Sequence, residues 1–401
     1  MIRTVLAVFG TRPEAIKMAP VLRALAAQPG LRPAVCVTDQ HREMLDQVLD
    51  FFGIQTDYRL DVMRDRQSPS EVAARVLGRL PRVLTAVRPA AVLVQGDTTT
   101  TLAAALAAFY ARIPVGHIEA GLRTYRRDAP FPEELNRHVT TALAEWHFAP
   151  TEWARSNLIH EHVPVEKIEV TGNPIIDALQ WTVLKLEAAN GTTILPSLDG
   201  GRRILLVTAH RRESFGRPFV ELCLGLRDLV ERNPDVEIVF PVHRNPEVQA
   251  PVRSLLGRCA RVHLLPPLDY WQLVNLLRRC YLVITDSGGL QEEAPSLGKP
   301  VLVMRDTTER PEGVKAGTAR LVGTSRARIV RETERLLRDP VRYARMAEAH
   351  NPYGDGRAGD RIAAHLWQAL CWRPSSDPRR AVASLRGDRP PRHARVARSG
   401  S

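Results

Sequence analysis

Residues 281–313 read YLVITDSGGLQEEAPSLGKPVLVMRDTTERPEG, and this order of residue types decides the fold. An apolar, β-branched run at 282–285 predicts a buried strand, Ser287-Gly288-Gly289 a tight turn, the next residues a short helix, and 301–304 a second strand before a charged loop. A strand feeding a helix through glycines is an anion cradle: the backbone approaches closely and the first helical N–H groups point at the ligand. Glu292 and Glu293 fall about one turn into the helix, where a carboxylate can accept from ribose hydroxyls. Arg310 follows the second strand and reaches the same pocket. A lone Ser-Gly-Gly would be an ordinary helix start with solvated acids. The second strand and second polar loop at the same sheet end turn the reading towards a site.

Moving outward, the same strand–turn–helix rhythm recurs. An apolar run at 5–9 ends in Gly10-Thr11-Arg12-Pro13-Glu14, and a helix follows with Ile16, Met18, Ala19, Leu22 and Leu25 on one side. Its turn holds one glycine, so it lacks the dinucleotide fingerprint and no NAD is expected. Arg12 and Lys17 sit at this helix start, placed either for a diphosphate or for solvent. The run AVLVQGDTTTTLAAALAAFY puts Asp97 after a strand, as an N-cap or a site carboxylate. IPVGHIE puts Glu119 at the matching position of the next strand, and two carboxylates at successive strand ends lie where open parallel sheets build their sites. Glu133 opens a helix running to about residue 143, either as a third cleft carboxylate or as a partner of the helix dipole.

In the second half, runs at 204–208, 236–240, 262–265, 282–285 and 301–304 predict five strands. His210 and Arg211 follow the first and His243 the second, a histidine beside arginines at a strand end being an anion-site candidate. The expected fold is therefore α/β, two Rossmann-like domains with parallel sheets and an active site in the inter-domain cleft. Residues 1–171 form the first domain, 172–357 the second, and a helix at 358–373 returns to the first.

The chain of 401 residues is too long for one ordinary core and 44% apolar. Five scattered cysteines, with no CxxC pair and no histidine cluster at ligand spacing, indicate reduced thiols, a cytoplasmic protein and no structural metal. The N-terminal apolar run is too short for a signal-peptide core, and no run reaches membrane-spanning length. Residues 374–401 carry seven arginines and two aspartates, which supplies +5 of the net +12. This stretch lacks the apolar content to fold and is expected to be a disordered basic tail. Only five of the 56 basic residues are lysine, a compositional bias rather than a basic recognition stripe, so neither nucleic acid nor membrane is an expected partner. Two α/β domains with strand-end polar turns suit a nucleotide sugar clamped between them. Several carboxylates without metal or NAD suit proton transfer at carbon coupled to loss of a diphosphate.

GTRPEAIKMAPV, GDTTTTLAAALAAFY, HIEAGLRT, PEELNR, TGNPIIDAL, TAHRRESFG, PVHRNP, the 281–313 stretch and NPYGDG together resemble the non-hydrolysing UDP-N-acetylglucosamine 2-epimerases, in family order, over residues 2 to about 370. The resemblance implies a GT-B-like fold, a homodimer, no cofactor, and reversible conversion of UDP-GlcNAc to UDP-ManNAc through 2-acetamidoglucal. It assigns Arg12, Lys17, His210, Ser287, Gly288, Gly289, Glu293 and Arg310 to UDP, and Asp97, Glu119, Glu133 and His210 to catalysis. It also assigns Gln40, Arg66, Arg211 and His243 to an allosteric pocket for a second UDP-GlcNAc. Leu268 and Leu273 stand where some relatives place a polar and an aromatic residue against uracil. A hydrolysing 2-epimerase releasing ManNAc and UDP, and a GT-B glycosyltransferase, remain alternative readings of the same residues.

Overall fold

The computed structural model describes residues 2–39, 42–64, 67–188, 201–211 and 214–372, with the side chains of Arg42 and Glu43 excepted. Gln40, Arg66 and the 374–401 tail lie outside the described residues. Strands β1 (Arg3–Phe9), β2 (Leu31–Val37), β3 (Tyr58–Arg59), β4 (Ala91–Gln95), β5 (Val115–Ile118), β6 (Trp146–Ala149) and β7 (Ile168–Val170) form one sheet in the order β3-β2-β1-β4-β5-β6-β7. Strands β8 (Arg203–Thr208), β9 (Val236–Pro241), β10 (Val262–Leu265), β11 (Leu282–Thr285), β12 (Val301–Val303) and β13 (Ala319–Leu321) form the other in the order β10-β9-β8-β11-β12-β13. The ladders run parallel throughout, as in β1 with β2 and β4, or β11 with β8 and β12.

The helices of the first half are α1 (Arg12–Ala27), α2 (Arg42–Phe52), α3 (Pro69–Val87), α4 (Thr99–Tyr110), α5 (Glu133–Leu143), α6 (Glu152–His160) and α7 (Pro174–Ala188). Those of the second are α8 (Arg217–Arg232), α9 (Pro246–Leu256), α10 (Tyr270–Arg279), α11 (Gly288–Ser296), α12 (Pro311–Ala316), α13 (Arg326–Arg338), α14 (Pro340–Ala347) and α15 (Ala358–Cys371). Among the described residues no helix is long and apolar enough to cross a membrane.

The continuous apolar runs follow from burial on both faces, because side chains alternate along a strand. On β1, Val5, Ala7 and Phe9 join the core under α1 and α15, whereas Leu6 and Val8 join the core under α3 and α4. On β8, Leu205 and Val207 face one cluster and Ile204 and Leu206 the other. The expected strands are present, and two were missed. β3 (Tyr58-Arg59) and β13 (Ala319-Arg320-Leu321) are two and three residues long and each carries an arginine, so neither reads as an apolar run. The last helix starts at Ala358 and lays Ile362, Ala363 and Leu366 into the same core as Met18 and Val21 of α1. Asp177 of α7 accepts from the N–H groups of Ala358 and Gly359 (3.2 and 2.8 Å), supplying from a distant element the cap that the helix lacks locally.

Each sheet reverses its order once, between β1 and β4 and between β8 and β11. Ligands bind outside the carboxyl ends of the strands at such switch points.

Candidate active site

The first switch point is built on Glu14. It is fully buried, accepts from the N–H groups of Gly10 and Thr11 (3.1 and 2.7 Å), and takes the Thr98 hydroxyl at 2.8 Å. One carboxylate thus ties the β1–α1 turn to the β4–α4 turn, and burial raises its pKa against those hydrogen bonds. Gly10 is required here, since a Cβ would stand 3.0 Å from Thr100 Oγ1 and collide with the Thr38 hydroxyl. The turn presents Arg12, whose guanidinium donates to the Leu268 carbonyl across the cleft at 3.3 Å, and Lys17 one turn on.

Asp97 does not cap α4. Thr98 does, accepting from the Thr101 N–H at 3.1 Å, and this leaves the Asp97 carboxyl to the cleft. Its Oδ2 receives Arg137 at 2.6 Å, and 32% of its side chain stays exposed. Burial raises the Asp97 pKa, Arg137 opposes and the Glu119 charge adds to it. Glu119 follows β5 in the left-handed region, at φ 65°, an uncommon conformation for a residue with a Cβ and one that clusters at functional sites. Its Oε1 receives Lys17 Nζ at 2.5 Å and Asn173 Nδ2 at 2.9 Å, and Gln95 donates to Oε2. Burial raises the Glu119 pKa, but Lys17, Arg310 and these hydrogen bonds reverse the balance, so the carboxyl ends below its ordinary range. Lys17 is conversely held protonated by Glu119 and Glu292 against the desolvation that would discharge it. Glu133 opens α5, and its buried Oε2 has no partner among the described residues.

On the facing sheet, Asp286 organises the turns. Its Oδ2 accepts from the N–H groups of His210 and Arg211 (2.7 and 2.8 Å), and its Oδ1 lies 3.0 Å from His210 Nδ1. Burial raises the Asp286 carboxyl; the His210 contact and the two amides outweigh it and leave a net lowering. His210 stacks on His243 with ring centroids 5.8 Å apart. Burial, then His210, lowers the His243 pKa.

Ser287 stands at the N-cap position of α11 without a side-chain capping bond, and Gly288 and Gly289 form the first turn, as the cradle reading expects. Arg310 packs its guanidinium on Gly288, donating from Nε to Glu292 at 2.5 Å and from NH1 to Glu309 at 2.6 Å. Burial would raise the Glu309 carboxyl, but Arg310 and Arg305 bring it down to about 2. Glu293 accepts from the Tyr270 hydroxyl at 2.9 Å, and burial pushes it up to about 7. The two adjacent acids read as ribose acceptors therefore separate. Glu293 faces the cleft, whereas Glu292 turns away into Arg310 and Asn173, because successive helical residues point about 100° apart.

All these turns line one cavity of about 580 Å³ between the two sheets. Asp97, Glu119 and Glu133 share it with Arg12, Lys17 and Arg310. His210, Arg211, His243, Ser287, Gly288, Gly289 and Glu293 complete the set, with Leu268 and Leu273 on the apolar side. Of the residues proposed for a second ligand, Arg211 and His243 reach this cavity, while Gln40 and Arg66 lie outside the described residues. Sequence reasoning passed over Arg137, Asn173, Asp286, Glu309 and Tyr270. The first four sit inside the stretches PEELNR, TGNPIIDAL, TDSGG and TTERPEG, but only the folded chain shows which side chain each one meets. Among the described residues no group of three or more His, Cys, Asp or Glu side chains is arranged to hold a metal ion.

Two parallel α/β units, with an anion cradle at one switch point and carboxylates at the other, define a GT-B-like protein. Residues 23–367 match the family model for UDP-N-acetylglucosamine 2-epimerase. The UDP-N-acetylglucosamine 2-epimerase of Escherichia coli is 55% identical over 366 residues, which cover 89% of this chain and 96% of that protein. A crystal structure of the Neisseria meningitidis UDP-GlcNAc 2-epimerase bound to UDP-GlcNAc superposes with a TM-score of 0.87 at 48% identity, covering 91% of this chain and all of that one. The Methanocaldococcus jannaschii enzyme in complex with UDP-GlcNAc and UDP gives 0.76 at 31% identity, over 90% and 99%. The chain belongs to the UDP-N-acetylglucosamine 2-epimerase family.

Proposed function

We propose that the protein interconverts UDP-GlcNAc and UDP-ManNAc without hydrolysis. A carboxylate removes the C2 proton as the C1–O bond breaks, its electron pair leaves with UDP, and the C1=C2 bond of 2-acetamidoglucal forms. UDP then adds back at C1 while a proton reaches the opposite face of C2. One observation carries the reading: two neighbouring cleft carboxyls are tuned in opposite directions, Asp97 upwards and Glu119 downwards. Groups split in this way divide acid and base roles between them. Glu119, held ionised by Lys17 and Asn173, is assigned the base and Asp97 the acid, with Glu133 as the third carboxylate at the same carbon. Arg12, Lys17, His210, Arg310 and the α11 N–H groups stabilise the charge that gathers on the departing diphosphate, and Glu293 takes the ribose.

Incubation with UDP-GlcNAc in heavy water tests this directly. Deuterium is expected at C2 of both recovered UDP-sugars. Unlabelled UDP-ManNAc rules out the elimination, and free ManNAc accumulating with UDP makes the enzyme hydrolysing. Within the same proposal the protein is a cytoplasmic homodimer, and Arg211 and His243, with Gln40 and Arg66, hold an activating second UDP-GlcNAc. UDP-ManNAc alone then converts with a lag that a trace of UDP-GlcNAc removes, whereas an immediate linear rate eliminates the second ligand.

A further inference from the structure

We propose that Arg137 is a positioning residue for the epimerisation, keeping Asp97 aimed at the substrate carbon and setting the pH at which it exchanges its proton, with Glu134 as the support that orients Arg137. The inference rests on the proposed function, because it assigns a supporting residue to a proton carrier of that reaction.

The geometry is a chain of three links starting in a loop. The N–H groups of Thr124 and Tyr125 donate to Glu134 Oε1 at 3.0 and 2.8 Å. The other oxygen of Glu134 receives Arg137 Nε at 3.1 Å and also its NH2. The remaining arm, NH1, reaches Asp97 Oδ2 at 2.6 Å. Asn136, the neighbour of Arg137 on α5, donates to the Asp97 carbonyl at 2.8 Å, so one helix fixes both the backbone and the side chain of the acid. Glu134 is fully buried and Arg137 is 3% exposed, which makes this a built support rather than a solvated pair. Arg137 is charged throughout the working range, since Asp97 and Glu134 more than offset its desolvation.

A strut that merely tied α5 to β4 would need no charge on Asp97. The groups facing Asp97 are Lys17 from α1, Glu119 from the end of β5, Glu133 and Arg137 from α5, and Arg310 from the second half of the chain. Burial and Glu119 favour the protonated carboxyl; Arg137 is the largest influence against it. Without that guanidinium the proton binds more tightly, and the limb of the rate profile governed by Asp97 moves to higher pH whichever direction the proton travels.

The experiment measures kcat and KM between about pH 5 and pH 9.5 for the wild-type protein, Arg137→Gln, Arg137→Lys and the pair Glu134→Gln/Arg137→Gln. The pair removes both charges at nearly constant volume and covers the case in which Arg137→Gln alone leaves Glu134 buried, unpaired and unable to fold. Loss of Arg137 is expected to lower kcat at neutral pH about tenfold and to move the Asp97 limb up by about one unit, the size of a charged partner's influence. KM should change far less, and Arg137→Lys should restore most of the profile. In an Asp97→Asn background the Arg137 change is expected to add almost nothing, because both act through one carboxyl. An unmoved limb, or fully additive losses in that background, overturns the inference. Absence of solvent deuterium at C2 with the wild-type protein would instead overturn the reaction itself, so the two failures are told apart.

Discussion

Glu293 shows at the scale of one residue how the site is held in a state the fold alone would not choose. It is 5% exposed, and burial pushes its carboxyl up to about 7 in spite of the Tyr270 hydrogen bond. Its folded-state pKa lies above the unfolded value of about 4.3, so folding favours the protonated carboxyl and penalises the ionised one. The stability tied to this proton is complete below about pH 4 and is lost as pH rises through about 7. A shift of that size corresponds to about 4 kcal/mol as an upper figure. Glu293→Gln should therefore raise the thermal midpoint of the ligand-free protein at pH 8 while changing it little at pH 5. In its proposed role against the ribose the same change should weaken UDP binding, the familiar exchange of stability for function. Equal midpoints for the two proteins at pH 8 would show that Glu293 ionises there without penalty.

At the scale of elements, the cradle from β11 through Gly288 into α11 is as tight as its sequence implies, but its two glycines are not equivalent. A Cβ on Gly288 would lie 2.6 Å from Cζ of Arg310, whereas at Gly289 the nearest atom is 3.5 Å away. Arg310 cannot simply swing aside, since Glu292 and Glu309 hold it from two directions. Gly288→Ala should cost UDP binding about 1–3 kcal/mol, the usual penalty of forced overpacking. Gly289→Ala should bind within about threefold of wild type, roughly 0.6 kcal/mol; calorimetry on the two variants checks this, and equal affinities would remove the distinction. The asymmetry also marks where the sequence stops being readable. Strands buried on both faces announce themselves as apolar runs, and residues at their carboxyl ends fall into the cleft by topology, which is why Asp97, Glu119, His210 and Ser287 were legible. The extent of α5 was legible too, because Glu133 follows two prolines. What the acids touch was not: Glu14 meets Thr98, Glu119 meets Asn173, and Arg137 meets Asp97 across 40 or more positions. Even Glu292 and Glu293, adjacent in sequence, part company once the helix turns between them.

For the whole molecule, the two sheets are joined where the chain crosses between them twice. Gly172, at φ 85°, precedes Asn173 on the outward crossing, and the Asn173 N–H donates to the Tyr353 carbonyl of the return crossing at 2.7 Å. The two crossings touch, since a Cβ on Gly172 would stand 3.2 Å from the Gly354 Cα. Directly inside this joint the Asn173 amide nitrogen donates to Glu119 at the carboxyl end of the first sheet and to Glu292 on α11, each at 2.9 Å. Lys17 and Arg310 balance those two carboxylates, so the neutral amide is the link between two matched ion pairs. Asn173→Asp keeps the shape and adds a third carboxyl between two acids. Repulsion and burial raise the pKa of the introduced group, so the folded state tolerates it protonated and is penalised as it ionises. The deficit in thermal midpoint against wild type should be small near pH 5 and larger at pH 8, opposite to the usual acid sensitivity of a buried ion pair. Asn173→Ala, which loses both donated hydrogen bonds and the acceptor for the Ile175 N–H without adding charge, should show a deficit that hardly depends on pH. If the proposed ligand spans the cleft, saturating UDP should recover part of both deficits by binding only the folded, joined state. A deficit for Asn173→Asp that is equal at the two pH values would mean that the joint is held by shape and not by the balance of charge across it.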